Sequence, residues 1–175
     1  MPPLPGEDHV CGSCGVGFGR LGVDEACVLV AAVPGRARAA ALAVAGPSRR
    51  VRAVAGGWSI AEYVCHLRDV YVTYTIRLHR VRTEDAPVLE PMLNDLRARR
   101  FGYNDRDVVA VLDELTATAE GFLREVAHIS PPQWERVATR LPGEQRTARW
   151  MVRQAAHEGV HHVRDIEALA GSDHG

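Results

Sequence analysis

The stretch WSIAEYVCHLRDVYVTYTIRLHRV, residues 58–81, carries the strongest structural signal in the sequence. Ser59 followed three residues later by Glu62 is a capping box, in which a hydroxyl and a carboxylate satisfy the unpaired amides of a helix start. Apolar residues then recur at helical spacing, which predicts a helix ending near Arg82. His66 lies on the same face as Glu62, and we expect that face to be directed to the interior of a bundle.

Three other segments have helical character. Residues 24–45 are Ala-rich, but Pro34 predicts a break in that helix. Residues 105–130 predict another helix, and residues 147–170 predict the last, capped by Thr147 and stopped by Gly171. The Pro- and Gly-containing residues 83–104 predict a long crossing connection, and no segment alternates for long enough to predict a strand. The sequence therefore predicts an all-α protein, an antiparallel four-helix bundle with a long crossover connection.

The chain divides by composition into three parts. Residues 1–22 predict a Gly- and Cys-rich N-terminal extension, residues 23–171 the bundle, and residues 172–175 a tail. The net charge of −1 gives no general attraction for nucleic acid. No uninterrupted apolar run approaches the ~20 residues of a membrane span, and the N-terminus lacks the pattern of a signal peptide. We expect a cytoplasmic protein with neither a nucleic-acid nor a membrane partner.

Residues 157–161, HEGVH, spell the H-E-x-x-H pattern of zinc peptidases, in which two histidines bind zinc and the glutamate is the general base. The extended form of that pattern places a glycine and a third histidine downstream. Arg164 and Glu167 occupy those positions here. The sequence also gives no sign of a sheet that would align a peptide, so we do not favour a peptidase.

The histidine pair instead predicts a metal site within the bundle. Positions four apart on a helix lie about 40° apart around its axis, so His157 and His161 project side by side. His66, in the middle of the capped helix, is the candidate third ligand, and three imidazoles would leave an open position on the metal. Glu158 lies off this ligand face, and His162, about 100° further round, is expected to be a surface or interface histidine. Zn, Ni and Fe all suit such a site.

The segments GGWSIAEYVCHLRDV and HEGVHHVRDIEAL together resemble the DinB/YfiT-like superfamily. The resemblance implies a four-helix bundle that binds a divalent metal through three histidines, which by position are His66, His157 and His161. Members of that superfamily include S-transferases that use low-molecular-weight thiols and a thiol-dependent maleylpyruvate isomerase. The resemblance thus implies a small-molecule substrate, a thiol cosubstrate and a homodimer.

Three functions remain open from the sequence. In the first, a metal-dependent transferase or isomerase activates a thiol, and Arg153 and Arg164, one turn to either side of the histidine pair, bind a carboxylate of the thiol or substrate. In the second, a hydrolase activates water on the same metal, with Asp69 or Glu62 as the base. In the third, the bundle is a non-catalytic, metal-stabilised binding module.

The N-terminal extension contains CGSCG, residues 11–15. Two cysteines separated by two residues form half of a zinc knuckle. His9, Cys11, Cys14 and Cys27 are therefore candidates for a second, structural metal site. The alternative is a Gly-rich extension whose thiols stay reduced, since the motif does not lie between a strand and a helix as redox dithiols do.

Overall fold

The computed structural model describes residues 3–53 and 57–172. Its helices are α1 (Val23–Ala43), α2 (Ile60–Thr83), α3 (Asn94–Arg100), α4 (Val108–Ala127) and α5 (Ala148–Ser172), and its strands are β1 (Val137–Thr139) and β2 (Gln145–Thr147). Short 3₁₀ turns occupy Ser48–Arg50, Tyr103–Asp105 and Pro131–Glu135. Of the predicted tail, residue 172 is the last of α5 and residues 173–175 lie outside the described part of the chain.

The helix starts follow the local sequence. The Ser59 hydroxyl accepts from the Glu62 amide at 3.2 Å, and the Glu62 carboxylate accepts from the Ser59 amide at 2.9 Å, so the predicted capping box is present. Asp107 caps α4 through the Val109 amide at 2.9 Å. The Thr147 hydroxyl accepts from the third amide of α5 at 3.0 Å, as its position predicted.

Four long helices form the bundle. Both α1 and α2 pack chiefly against α4 and α5, so α1 and α2 occupy diagonal positions. The core between them contains large, fully buried side chains from α2, α4 and α5, which include Tyr71, Phe122, Trp150 and Met151. The predicted four-helix bundle is confirmed, and α3 lies within the predicted connection between α2 and α4.

Helix α1 runs without interruption through Pro34, contrary to the predicted break. A proline inside a helix removes one backbone hydrogen bond, and the burial of Val30, Val33 and Ala37 along one face supports the helix across that point. By length and composition alone α1 is long and apolar enough to span a membrane, although Arg36 and Arg38 interrupt its sequence. In this structure it packs as a bundle helix against α4 and α5.

The hairpin formed by β1 and β2 was not predicted. The strands are antiparallel, with Ala138 opposite Arg146, and Gly143 takes a positive φ of 76° in the turn between them. Three residues a strand are too few to show an alternating pattern. Thr139 also exchanges backbone hydrogen bonds with the connection after α2, through the Leu89 amide and the Pro87 carbonyl. The hairpin thereby fixes that connection beside α5.

Helix α5 comes exceptionally close to its neighbours at Gly159. A Cβ atom at this position would lie 2.4 Å from the Tyr71 hydroxyl of α2 and 2.7 Å from Val33 of α1. Both distances are far below van der Waals contact. Gly159 therefore allows the helix that carries the histidines to sit close to α1 and α2.

The N-terminal extension packs along α5 rather than apart from the bundle. Phe18 is fully buried, with its ring edge-on to Trp150 at 6.1 Å between centroids. The Trp150 indole donates to the Gly6 carbonyl at 3.3 Å, and the Thr147 amide donates to Glu7 at 2.9 Å. The two cysteines of the extension are thus held against the same helix as the histidine pair.

Candidate metal centre and adjoining cavity

His66, Glu158 and His162 converge between α2 and α5. The Nε2 atoms of His66 and His162 lie 3.2 and 3.3 Å from the same carboxylate oxygen, Oε2 of Glu158. One donor atom from each residue falls within 4.8 Å of the other two. His66 lies in the first third of α2, and Glu158 and His162 lie near the middle of α5. The packed backbones of the two helices hold the three residues rigidly in this arrangement.

Neighbouring polar groups fix the orientation of these three side chains. Gln154, one turn before Glu158, donates to its other oxygen, Oε1, at 2.6 Å. Nδ1 of His162 lies 2.8 Å from Asp165, which leaves Nε2 directed to the cluster. A carboxylate that holds the far nitrogen of a histidine is the usual support of a metal-bound imidazole. The Trp58 ring packs edge-on against His66, 4.9 Å between centroids.

The cluster contains one ionised carboxylate, that of Glu158. Burial opposes ionisation of Glu158, but hydrogen bonds to His162 and His66 hold its pKa well below the ordinary value. Burial lowers the pKa of His66, which keeps that ring neutral. Burial also disfavours the charged form of His162, yet Asp165 and Glu158 outweigh it and raise its pKa to about 9. The cluster thus holds the Glu158 carboxylate, and His162 carries a proton that a metal ion would displace.

Glu158 and Gln154 also line a cavity of about 550 Å³. Its walls come from α2, from the connection after α2 and from the turn between the strands, and include Tyr74, Arg77 and Asp95. Arg77 is 6% exposed and donates to the Glu90 carbonyl. Asp95 accepts from the Trp58 indole at 3.2 Å, which places its carboxylate beside the ring that covers His66. This volume is in the range of small-molecule sites.

The structure does not bring the predicted ligands His66, His157 and His161 together. Among the described residues, His157 and His161 group instead with Cys11 and Cys14 of the extension. The reason is a rotation of about 100° for each residue along a helix. The pair at 158 and 162 faces α2, whereas the pair one residue earlier faces the extension.

A sequence profile of the DinB superfamily matches residues 32–166. The chain belongs to the DinB superfamily. Among solved structures it is similar to YfiT from Bacillus subtilis, described as a probable metal-dependent hydrolase with an unusual four-helix bundle topology. The TM-score is 0.74 at 17% identity, over 85% of this chain and 87% of that one.

A second similar structure is the mycothiol-dependent maleylpyruvate isomerase, with a TM-score of 0.68 and 14% identity. The match covers 85% of this chain and 62% of the isomerase. No match was found among curated protein sequences. The likeness to the two structures establishes the fold of this DinB protein, and the resemblance predicted from its two motifs is confirmed.

The donor set of this DinB protein suits a divalent ion. Two imidazoles and one carboxylate are the ligands of several catalytic zinc sites and of non-haem iron sites. Glu158 and His162, which also stand four residues apart, were not predicted as ligands. Gln154, Glu158 and His162 form a polar stripe at helical spacing within an otherwise apolar helix face, and that stripe was the available signal.

The two carboxylates predicted as bases are occupied elsewhere. Asp69 accepts from Tyr103 and from Arg97, and pairs with Arg68 at 2.6 Å. Glu62 caps α2 and pairs with Arg52. Both carboxylates hold secondary-structure elements together, and neither is among the residues that line the cavity beside Glu158.

The remaining predicted residues lie on the side of the extension. Arg153 donates to the Leu21 carbonyl at 2.8 Å and Arg164 to the Ser13 carbonyl at 3.3 Å, so both arginines attach the extension to α5. The ring of His9 packs edge-on against His157 at 5.9 Å. Cys27 lies on α1 beside Leu123 and Trp134 and does not join the group formed by Cys11 and Cys14.

Proposed function

We propose that this protein is a metal-dependent enzyme in which His66, Glu158 and His162 bind a divalent ion beside the cavity. The observation that carries the proposal is the convergence of the three donor atoms on one point, with Glu158 forming part of the cavity wall. These residues take the place of the predicted three-histidine set. A site with three protein ligands leaves coordination positions for a substrate, as catalytic sites require.

The reaction we favour is the attack of a low-molecular-weight thiol on a small electrophile: the thiol gives up its proton to solvent, a carbon–sulfur bond forms, and the electrophile either releases a leaving group or takes up a proton. When bound, the ion would supply the positive charge that stabilises a thiolate near neutral pH. Gln154 and Asp165 would keep Glu158 and His162 in the orientation that binds it. Arg77 contributes a guanidinium to the cavity wall, and one of its N–H groups donates to the Glu90 carbonyl. The other donors suit a carboxylate on the thiol or on the electrophile.

Two features of the site support a thiol as the nucleophile. A cavity of about 550 Å³ has room for two reactants. In addition, the carboxylates Asp69 and Glu62 are engaged by arginines, and thiol transfer needs no carboxylate base once the thiolate is formed. The similar isomerase uses mycothiol, which agrees with this choice without establishing it for this chain.

A hydrolase is the second candidate, and one observation favours it. Asp95 lies in the cavity wall and hydrogen-bonds Trp58 over His66, so a carboxylate is available to accept a proton from water. Asp95 is exposed and stands at the start of the short helix α3. Its position can therefore adjust to a bound substrate more easily than that of a buried group.

The test is a paired assay on the full chain loaded in turn with Zn²⁺, Ni²⁺ or Fe²⁺. Loss of free thiol is followed with a panel of carboxylate-bearing electrophiles, and ester and amide hydrolysis is followed without thiol. We expect thiol consumption that falls roughly 100-fold or more in His162→Ala. His79→Ala is the matched control, since His79 is an exposed histidine near the end of α2 and should keep wild-type rates.

Asp95→Asn separates the two reactions. It should leave thiol transfer within about twofold of wild type, whereas a hydrolase would lose roughly 100-fold. If turnover proceeds without thiol and depends on Asp95, the protein is a hydrolase and not a thiol-dependent enzyme. If metal-loaded protein turns over neither panel above the metal-free background, the enzyme proposal fails.

A further inference from the structure

A second cluster of metal-ligating side chains lies on the other face of α5 and takes no part in the proposed catalysis. Cys11, Cys14, His157 and His161 each place a donor atom within 4.8 Å of the other three. We propose that these four residues bind a structural zinc ion as a tetrahedral Cys₂His₂ site that fastens the N-terminal extension to α5. This proposal does not depend on the enzyme activity argued above.

The backbone around the two cysteines forms a hydrogen-bonded turn that suits metal binding. The Gly15 amide donates to the Cys11 carbonyl at 2.8 Å, and the Cys11 amide donates to the Val16 carbonyl at 2.9 Å, which closes a tight turn. Gly15 has a φ of 76°, a conformation that glycine adopts without strain. The backbone amides of Ser13 and Cys14 are directed at the sulfur of Cys11. Amides directed at a sulfur stabilise a thiolate, the form in which cysteine binds metal.

The histidines supply the two missing ligands. Both ring nitrogens of His157 are shut off from solvent and have no hydrogen-bond partner among the described residues. Buried polar atoms without a partner are rare in native proteins, because each costs the free energy of its lost hydration. Nδ1 of His161 lies 3.5 Å from the sulfur of Cys11. An ion among the four side chains would satisfy the orphaned imidazole and draw these atoms together.

The chemistry of the donors selects the metal and its role. Two thiolates and two imidazoles in a tetrahedral arrangement suit zinc, and four protein ligands leave no position for a substrate. Two thiolates also neutralise the charge of a divalent ion, and the thiol protons leave to solvent when it binds.

The position of the cluster explains what the ion would do. Cys11 and His161 are 150 residues apart in the sequence, so the ion would cross-link the extension to the last helix. Val160 packs with the two cysteines in a small apolar cluster separate from the main core. This cluster alone buries little apolar area, so it stabilises the extension only weakly. Short segments with so small a core commonly need a metal for stability.

The first experiment uses the wild-type chain, so it does not rely on a variant that folds. The protein is purified with zinc, and an organomercurial is titrated against its thiols while a chromogenic chelator records released zinc. We expect one zinc per chain to appear as the thiolates are modified. In the cobalt(II)-substituted protein we expect thiolate-to-cobalt charge-transfer absorption and the intense visible bands of tetrahedral cobalt. Cobalt spectra without a thiolate band would overturn the proposal.

Variants then assign the ligands by elemental analysis. Cys14→Ser and His157→Ala should each lose one zinc per chain and the thiolate band, whereas Cys27→Ser, the matched control, should keep both. His66→Ala, which alters only the other cluster, should also keep the thiolate band. Loss of the band in Cys27→Ser, or its retention in Cys14→Ser, would refute the assignment. Failure of the catalytic proposal would appear separately, as a metal-loaded wild-type protein that shows this spectrum but turns over neither substrate panel.

Discussion

Replacement of Gly159 by alanine tests the close approach that positions α5. The added Cβ would stand 2.4 Å from the Tyr71 hydroxyl and 2.7 Å from Cγ2 of Val33. Unstrained contacts need about 3.5 Å, so α5 must move by roughly 1 Å or its neighbours must change rotamer. Tyr71 is fully buried and packs on Phe122, so it has little room to move.

The expected free-energy change is the sum of two opposing effects. Overpacking a closed core costs about 1–3 kcal/mol, and alanine in a helix interior is better than glycine by about 1 kcal/mol. We expect Gly159→Ala to lower the free energy of unfolding by up to about 2 kcal/mol. Urea denaturation followed by circular dichroism, at a fixed metal concentration, measures this change.

Two further variants make the test specific to the contact. Tyr71→Phe removes the nearer clashing atom, and the Tyr71 hydroxyl has no hydrogen-bond partner among the described residues, so this change alone should be close to neutral. Combined with Gly159→Ala it should recover about 1 kcal/mol of the loss. Gly35→Ala, on exposed α1 surface with no atom near its added Cβ, should stabilise the protein by about 0.5–1 kcal/mol. If Gly159→Ala stabilises the protein as Gly35→Ala does, the inferred packing of α5 is refuted.

Other predictions concern the ion pairs, the extension and the assembly. Although burial opposes its ionisation, Tyr103 and Arg97 hold the pKa of Asp69 below its ordinary value. Asp69→Asn should therefore cost about 3 kcal/mol at neutral pH. The difference from wild type in urea unfolding should begin to shrink as the pH falls below about 4, where the unfolded chain takes up the proton, and should disappear below the lowered pKa of Asp69 in the folded protein. Arg153→Ala removes the bond to the Leu21 carbonyl, so limited proteolysis should cleave the extension several-fold faster; an unchanged cleavage rate would show that this arginine does not hold it. The homodimer stays a prediction, for which light scattering should give twice the chain mass of 19.1 kDa, and a monomer would contradict it.

Local signals in the sequence were sufficient for the bundle. Ser59 and Glu62 define the start of α2, and Thr147 defines the start of α5, because caps depend only on residues three positions apart. The continuity of α1 through Pro34 was not predictable from local sequence, since it depends on packing against α4 and α5. The hairpin was missed because its pairing depends on contacts with the connection after α2.

The predicted ligands came from the two helices that hold the cluster of His66, Glu158 and His162, but the structure groups the predicted pair in α5 with the extension instead. Two pairs in α5 satisfy the same four-residue spacing, His157 with His161 and Glu158 with His162. Spacing within a helix cannot decide which pair faces α2, because that depends on how the helix is rotated in the bundle. The extension resolves the choice, since Cys11 and Cys14 engage the first pair.

The two interleaved pairs require that α5 keep one rotation about its axis, because one pair must face α2 and the other must face the cysteines. Deleting one residue between Trp150 and His157 would turn everything downstream by about 100°, so that Glu158 and His162 would face the cysteines while Gly159 and Val163 would face α2. One such event would disable both metal-ligand clusters at once. Relatives with a similar cysteine turn near their N-terminus should therefore tolerate changes of length in the surrounding loops but none within this helix.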